Sequence, residues 1–559
     1  MAYKKIDYIN LMEKVLTAYS TEQIIGFFDE VKKVGLYEHG FPRLTANIGI
    51  LIAYGKRRDL TDLFIKMMDF CCENIPKVKA ANDFSVREII ASINALEKTD
   101  FIDKNKINEW NKNLAAIIPE TCYNAVAKSE EDKVNNWAIF SAVSEYFRTK
   151  KGLCDTSNFI DTQLSSQFKR IDEENMYMDN EESDVHQPFV YDLVPRGLFS
   201  LLLFEGYRGK YYEKIDNILR YAGLNTLKMQ SVTGELPFGG RSNQFLHNEA
   251  WLAAIFEYEA IRYKKEGDLK LASIFKKHAN KAIKVIEYWL SETPISHIKN
   301  KFPIDTQFGC ENYAYFNKYM ITTASFLYAA LSICDESIEE CEEEITSASY
   351  LTSYHFHKLF VKKHGYALEF DLNADPHYEA NGLGRVHKEG APSAICISMP
   401  CAEKPEYINN LENAFPLSIC AGIKDRDNGG YIFATGENTG YKVIDFADDF
   451  ALIETEINGK KVRSKYILKE NGVEINSEAE GEFAFLLPAF HFDGRDYTDI
   501  SLENNVLKIN YRGHSCVYKT NGNIKENQKL SANRNGLYKS YIIDAENSLN
   551  IKIEIINRI

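Results

Sequence analysis

Hydrophobic residues recur at helical spacing through most of the first 365 residues of the chain. Apolar side chains three and four positions apart fall on one face of a helix, so each such segment predicts an amphipathic α-helix. Short polar or glycine-bearing connections separate the segments. The predicted helices cover 7–18, 22–34, 45–54, 58–73, 86–97, 104–117, 133–149, 155–168, 195–205, 210–223, 245–265, 268–291, 315–334 and 346–363.

Helices joined by such short connections are expected to pack as antiparallel pairs. A solenoid of helical repeats would show a fixed sequence period, and none is visible in this chain. We therefore expect the pairs to close on themselves and to form an (α/α) toroid over residues 1–365.

The pattern changes near residue 366, where alternating positions and runs of β-branched or aromatic residues begin. Turn signals such as Asn458-Gly459 and Asn471-Gly472 separate these runs and are typical of hairpins. The predicted strands cover 392–398, 416–421, 430–434, 441–455, 463–469, 473–477, 482–487, 506–511, 514–519, 538–544 and 549–557. The expected fold class is α+β multidomain, with the toroid followed by an antiparallel β-sandwich over residues 366–559.

Composition narrows the class of protein. The chain has 559 residues, of which 45% are hydrophobic and 26% charged, as is typical of a soluble globular protein with at least two large units. The net charge of −14 argues against a nucleic-acid partner, and no segment is apolar enough to span a membrane. Eleven cysteines without a CxxC pair, and no apparent signal peptide, indicate a cytoplasmic location. The oligomeric state stays open.

Residues 234–252 combine a glycine-rich loop with the start of a strong predicted helix. Ser242 or Asn243 is suited to cap that helix. Arg241, Asn243 and His247 gather at its entry, where free N–H groups favour an anion. An arginine, an amide and an imidazole at one helix end suit a carboxylate, so we interpret this stretch as the centre of a sugar-acid site. A capped helix with a polar first turn is the alternative.

Two further segments of the helical half offer side chains suited to a sugar. Asn136 and Trp137 begin a predicted helix, where an amide can pair with sugar hydroxyls and an indole can stack on a sugar face. The polar loop 177–192 carries His186 and Tyr191, and long polar loops in compact domains often have a function. The alternatives are a helix cap followed by a core tryptophan and an ordinary surface loop.

Tyrosines and histidines also gather at a second helix entry and at the domain junction. In 297–320, Tyr313 and Tyr315 stand at a predicted helix start, where a phenol can donate a proton when a cation lowers its pKa. A half-buried tyrosine with its hydroxyl in water is the alternative. The glycine-rich junction 375–392 holds His377, Arg385 and His387, and clefts between domains are common ligand sites.

These residue types suit the removal of a proton next to a carboxylate. The chain has no phosphate-binding glycine motif and no serine-hydrolase elbow, which disfavours nucleotide enzymes and serine hydrolases. Cations and donors that neutralise a uronate carboxylate also stabilise the enolate, so that a tyrosine or histidine can remove the C5 proton. The sequence therefore predicts β-elimination in a uronate-containing oligo- or polysaccharide without a cofactor. No metal is predicted, because no ligand spacing is diagnostic, but His377 and His387 together with an acid are an alternative metal site.

Hydrolysis is the alternative, because two carboxyl groups flanking a glycosidic bond can cleave it. The acids available for hydrolysis are Glu249, Glu311, Asp192 and Asp305. A third possibility is a carbohydrate-binding protein without catalysis, which would present aromatic residues in a cleft without a set of proton-transfer groups.

A helical toroid followed by an antiparallel β-domain resembles the toroid polysaccharide lyases of the heparinase II/III and alginate lyase type. The resemblance covers nearly the whole chain and implies a neutralising amide or imidazole, a catalytic tyrosine and a histidine from the β-side. The residues that fit the catalytic roles are Asn243, His247, Tyr315 and His387. Those expected to bind substrate are Arg241, Tyr313, Arg385, His377, Asn136, Trp137, His186 and Tyr191. Toroid hydrolases of the β-glucuronidase and unsaturated-glucuronyl type resemble the helical half.

Overall fold

The computed structural model describes residues 2–180, 184–342, 344–425, 429–436 and 439–557. Within these ranges the first part of the chain is helical. Its α-helices are α1 (Lys5–Leu16), α2 (Thr21–Val34), α3 (Gly40–Ala53), α4 (Thr61–Asn74), α5 (Asn82–Leu96), α6 (Lys104–Ala115), α7 (Pro119–Cys122), α8 (Trp137–Lys150), α9 (Ser157–Gln167), α10 (Phe189–Phe204), α11 (Tyr212–Met229), α12 (His247–Glu266), α13 (Leu269–Ser291) and α14 (Phe316–Ile333).

Six of the helices in the described ranges form a closed inner ring. Each inner helix contacts the next, and the last contacts the first; their order around the ring is α3, α5, α8, α10, α12 and α14. Between consecutive inner helices the chain passes through an outer helix, such as α4, α9, α11 or α13, that packs against the ring. The (α/α) toroid expected from the sequence is therefore confirmed.

The inner helices are buried on almost all sides. Every residue from His247 to Tyr263 in α12 is buried, and so is every residue from Gly40 to Ile52 in α3. Such a helix meets two ring neighbours, an outer helix and the ring interior, so even charged side chains such as Arg43 in α3 and Glu257 in α12 are buried. Because the chain returns through an outer helix each time, the inner helices share one direction. Their first turns lie at one end of the ring, which we call the mouth.

The remainder of the described chain forms antiparallel strands. They are β1 (Ala348–Leu351), β2 (Lys358–Lys363), β3 (Tyr366–Asp371), β4 (Gly382–Lys388), β5 (Cys420–Lys424), β6 (Tyr431–Phe433), β7 (Thr439–Ala447), β8 (Phe450–Ile457), β9 (Lys460–Lys469), β10 (Gly472–Phe492), β11 (Asp499–Glu503), β12 (Val506–Tyr511), β13 (His514–Thr520), β14 (Asn523–Asn533) and β15 (Gly536–Asn557).

These strands form two sheets that pack face to face. The small sheet has the order β1-β2-β3-β4, and the large sheet has the long strands β10 and β15 paired near its centre. Both sheets share one core, in which the ring centroids of Phe370 and Tyr466 lie 4.8 Å apart. The other face of the small sheet packs on the toroid, where the ring centroids of Phe360 and Phe189 are 6.2 Å apart. The small sheet is therefore the layer of the β-sandwich that packs against the toroid.

The helix predicted for 346–363 is wrong. These residues form β1 and β2, which pair with each other, while β2 also pairs with β3. The run 358–363 has only three apolar residues, Leu359, Phe360 and Val361, between lysines, so its periodicity does not separate helix from strand. Burial between the toroid and the large sheet favours the strand. The strand predicted for 392–398 is also wrong, because Ser393–Ile395 form a turn of 3-10 helix.

Candidate functional site

The mouth is lined by the first residues of the inner helices and by the loops before them. Aromatic rings form a continuous series there: the ring centroid of Phe84 lies 4.8 Å from that of His39 and 4.7 Å from that of Trp137. Tyr191 and the loop 239–246 continue the lining. Because all six inner helices direct the positive ends of their dipoles toward this end of the ring, the mouth favours an anionic ligand.

Arg241 is a cation that the mouth presents to solvent. Its guanidinium pairs with Asp179, donates from Nη1 to Asn180 Oδ1 over 2.9 Å and lies 4.8 Å from the ring centroid of Tyr191. Asn136 Nδ2 donates to Asp179 Oδ1 over 2.6 Å, which ties the ion pair to the start of α8. Since 34% of the Arg241 side chain is exposed, part of the guanidinium remains accessible to a carboxylate.

The loop before α12 has a strained backbone. Ser242 and Gln244 have φ angles of 59° and 69°, in the left-handed region that residues other than glycine rarely adopt. Strain of this kind concentrates at functional sites. The predicted cap at Ser242 or Asn243 is wrong, because the helix begins at His247 with Leu246 as its N-cap. Asn243 and His247 therefore do not share a helical face.

Ser242 links two tyrosine hydroxyl groups. Its Oγ lies 3.0 Å from Tyr191 Oη and 2.9 Å from Tyr313 Oη. Each hydroxyl can donate and accept a hydrogen bond, so a proton can move along this set. We call Tyr191, Ser242 and Tyr313 the hydroxyl triad. Because Tyr191 also lies under the Arg241 guanidinium, the triad and the cation form one continuous group.

The β-domain reaches the mouth through Arg534, in the turn between β14 and β15. Arg534 donates to both oxygens of Glu311, over 2.6 Å to Oε1 and 3.0 Å to Oε2. The same Glu311 Oε1 accepts a hydrogen bond from the backbone N–H of Ser242 over 2.6 Å. Both charged side chains are buried, so this bidentate ion pair positions the serine of the triad against the sheet domain.

His247 lies beside the triad as a neutral imidazole. Its ring is stacked on Phe245 at a centroid distance of 5.7 Å and lies 5.4 Å from Tyr319, and its Nδ1 has no hydrogen-bond partner in the described chain. Burial lowers the pKa of His247 from 6.5 to about 3, and the nearby charge of Arg43 acts in the same direction. The imidazole is therefore uncharged at neutral pH.

The phenols of the mouth are neutral as well. Burial raises the pKa of Tyr313, and the neighbouring Tyr191 and Glu311 raise it further. Burial also raises the pKa of Tyr191, although Arg241 opposes this shift. The expectation that a cation lowers the pKa of a tyrosine at this helix entry is therefore wrong for Tyr313. A phenol with a raised pKa keeps its proton at neutral pH and acts as a donor.

Arg43, in the first turn of α3, is a buried cation at the mouth that sequence reasoning missed. Its guanidinium carbon lies 5.2 Å from the ring centroids of both Phe84 and Phe326. It pairs with Glu88 at 3.2 Å, yet its Nε has no partner among the described residues. An arginine inside an apolar helical segment carries no distinguishing signal in the sequence.

His387 and Arg385 belong to the interior instead of the mouth. His387 Nδ1 lies 2.8 Å from Ser231 Oγ and its Nε2 lies 3.2 Å from Ser398 Oγ. Arg385 pairs with Glu369 at 2.7 Å. Both side chains are buried between the small sheet and the toroid, where their polar atoms serve the fold. This placement corrects the prediction that they meet a substrate.

Asn243 and two of the predicted hydrolase acids also have structural contacts. Asn243 is buried and donates from Nδ2 to the carbonyl of Pro237 over 3.1 Å. Glu249 is buried and paired with Lys299 at 2.5 Å, and Asp192 is buried and paired with an arginine of its own helix. These contacts correct the catalytic role predicted for Asn243, and the buried ion pairs leave neither carboxylate free to act on a substrate.

Tyr315, Trp137 and Asp305 are at or outside the rim. Tyr315 is the N-cap residue of α14, is 53% exposed and makes no side-chain hydrogen bond within the described ranges. Trp137 is half-buried, with its ring against Phe84. Asp305 is exposed in a turn of 3-10 helix before α14. Of the two candidate tyrosines, Tyr313 and not Tyr315 is built into the polar contacts of the mouth.

Two histidines meet beside the loop 239–246. The ring centroids of His186 and His357 lie 5.5 Å apart, and the Nε2 atom of each has no partner in the described chain. His357 Nδ1 lies 2.7 Å from Asp371 Oδ1, and His357 has a φ angle of 45°. The histidine that the β-side brings near the mouth is therefore His357, which was hidden in the wrongly predicted helix.

Charged residues beside this histidine pair connect it to the loop 239–246. Lys358 pairs with both Asp371 and Glu379, and Glu379 accepts a hydrogen bond from the backbone N–H of Gly240. His377, the other histidine predicted from the junction, lies on the loop before β4 with its Nδ1 2.9 Å from Asp375 Oδ1. Its side chain is 45% exposed and makes no contact with the triad.

Among the described residues, no three histidine, cysteine, aspartate or glutamate side chains are grouped so that they could hold a metal ion. All eleven cysteines are free thiols. In the described part of the chain, no helix has the length and apolar character needed to cross a membrane.

The fold resembles several solved structures of polysaccharide lyases. A heparan sulfate lyase HepC mutant from Pedobacter heparinus has 7% identity and a TM-score of 0.43, with 93% of this chain and 77% of that chain covered. A Streptomyces coelicolor A3 chondroitin AC lyase in complex with chondroitin sulphate has 10% identity and a TM-score of 0.46, with coverage of 98% and 82%. A chondroitinase AC lyase studied with oligosaccharides has 9% identity and a TM-score of 0.40, with coverage of 97% and 82%.

The solved structures with a similar fold thus include toroid polysaccharide lyases, the class that the sequence resembles. At the level of sequence, no family model and no curated protein matches the chain. Likenesses of such low identity and TM-score concern the fold and assign neither an activity nor a substrate to this protein.

Proposed function

We propose that the protein cleaves uronate-containing oligo- or polysaccharides by β-elimination at the mouth of the toroid. The observation that carries the proposal is the contact between the partly exposed Arg241 guanidinium and the hydroxyl triad. A carboxylate-binding cation next to neutral proton donors is the set that elimination at a uronate requires.

Each group in this set has a role that follows from its surroundings. Arg241 binds the uronate carboxylate, which lowers the cost of forming the enolate. Tyr313 keeps its proton at neutral pH and donates it to the leaving glycosidic oxygen, while Ser242 and Tyr191 are placed to restore it. His247 accepts the C5 proton, and an anionic substrate bound nearby raises the pKa of this histidine and makes it a stronger base.

Hydrolysis, the second candidate, is less well supported by the acids predicted for it. Glu311 is paired with Arg534, Glu249 with Lys299 and Asp192 with an arginine of α10. A hydrolase needs one carboxyl group that is protonated and one that is available to attack or to activate water. Carboxylates held by buried cations serve neither purpose.

The test is to incubate the protein with a panel of uronate-containing oligosaccharides and to follow ultraviolet absorbance together with new reducing ends. Elimination produces a conjugated unsaturated uronate that absorbs, so we expect both signals to rise in parallel. New reducing ends without absorbance would overturn the proposal in favour of hydrolysis. Binding of the same oligosaccharides without either signal would favour a carbohydrate-binding protein.

A further inference from the structure

The end of the toroid opposite the mouth contains a cavity of about 490 Å³. This volume lies within the roughly 300–1,000 Å³ that is typical of small-molecule sites. Side chains from α3, α5, α8, α10 and α14 line it, so the ring itself forms its wall. Ala91, Ala95 and Ala329 are among the lining residues, and their small side chains leave the space open.

A buried charged group forms the floor of this cavity. Glu88 accepts from Arg87 over 2.8 Å and from Ser325 Oγ over 2.7 Å, and all three residues line the cavity. On its other side Glu88 pairs with Arg43, whose guanidinium lies against Phe84 at the mouth. The floor therefore separates the cavity from the mouth along the ring axis, and the two sites are distinct.

The polar groups around the cavity favour a hydroxyl group as their partner. Two lining residues, Asn47 and Arg87, are buried, and Asn47 Oδ1 and Arg87 Nε have no hydrogen-bond partner in the described chain. The amide oxygen requires a donor and the guanidinium N–H requires an acceptor, and a hydroxyl group supplies both. Tyr54, Tyr328 and Phe147 add aromatic surface of the kind on which a sugar ring can rest.

Charged ligands suit this cavity less well. The cavity lining carries both signs of charge: its charged residues are Lys5, Arg87, Glu88, Glu97, Lys98, Lys150 and Glu205. Glu88 is paired with Arg87 and Lys150 is paired with Glu205 at 2.6 Å, so neither an anion nor a cation meets a lining of opposite charge alone. We propose that this cavity, which we call the rear site, binds a small neutral polyhydroxylated molecule of the size of a mono- or disaccharide.

The rear site is tested by isothermal titration calorimetry with glucose, xylose, cellobiose and maltose as probes, and with citrate and spermidine as charged controls. We expect saturable one-to-one binding of at least one neutral sugar and none of either charged control. Ala91→Leu fills the cavity and should weaken that binding by about tenfold or more. Arg241→Ala changes the mouth and should leave it unchanged.

Each other result overturns the proposal. Binding by none of the four sugars means that the cavity holds water alone, and binding of citrate or spermidine contradicts the charge argument. Binding that Arg241→Ala abolishes and Ala91→Leu retains places the sugar at the mouth. Asn94→Phe, at a half-buried lining position, provides a second blocking variant if the melting temperature shows that Ala91→Leu does not fold. None of these outcomes depends on the reaction proposed for the mouth.

Discussion

Replacing Tyr313 with phenylalanine tests the hydroxyl triad by removing a single oxygen atom. That oxygen lies 2.9 Å from Ser242 Oγ, while the ring keeps its contacts. A positioned general acid contributes roughly 10²–10⁴-fold to a rate, so kcat should fall by about that factor. This corresponds to about 3–5 kcal/mol of activation free energy. The free energy of unfolding should fall by only about 0.5–1.5 kcal/mol, the net value of one hydrogen bond.

Tyr315→Phe is the matched control, because Tyr315 lies two positions further along and is 53% exposed with no hydrogen bond in the described chain. Initial rates of ultraviolet absorbance should be measured for both variants on the best uronate substrate, with melting curves recorded in parallel. The reasoning predicts a large loss of kcat for Tyr313→Phe and less than about a threefold change for Tyr315→Phe. Equal losses in the two variants, or a larger loss in Tyr315→Phe, would refute the assignment.

Three further predictions concern charge. Glu311→Gln leaves the buried Arg534 unpaired and should reduce the free energy of unfolding by about 3–5 kcal/mol in urea denaturation; a cost below about 1 kcal/mol would contradict the bidentate pairing. Arg241→Lys keeps the charge but loses the planar fork, so KM for uronate substrates should rise about tenfold or more while KM for a neutral analogue stays the same. Burial lowers the pKa of His247 and His387 to about 3, so only the unfolded state binds their protons as the pH falls below about 6.5. The melting temperature should therefore decrease from pH 7 to pH 4, and His387→Asn should make this decrease smaller.

The helical half was predictable because its segments are long and strongly periodic. The helices α12 and α13 are 20 and 23 residues long, and their segments show no strand-like alternation, which excludes a strand. The helix prediction for 346–363 was wrong because this segment is neither long nor strongly periodic. Both strands are short and β2 is buried on both faces, so the deciding interactions come from β3 and from the toroid instead of from neighbouring residues.

The candidate site was predictable only where its residues are local in sequence. Arg241, Tyr191 and Tyr313 stood out because each lies in a segment that is dense in polar and aromatic residues. Arg534 follows Glu311 by 223 positions, and its role depends on how a hairpin of the large sheet reaches the toroid. His387 shows the converse, since a histidine in a glycine-rich junction is as well suited to an interior hydrogen-bond network as to a cleft.

The direction of the inner helices explains why the proposed chemistry belongs to the mouth. The guanidinium groups of Arg43 and Arg87 both pair with the carboxylate of Glu88, so this buried cluster holds two positive charges against one paired negative charge. Arg43 lies in the first turn of α3, at the end of the ring where the helix dipoles add to its positive charge. A buried cation in such a field is costly unless an anion binds nearby. A uronate carboxylate bound at the mouth adds negative charge close to this cluster, so the same electrostatics favour the proposed binding and stabilise the enolate that forms there.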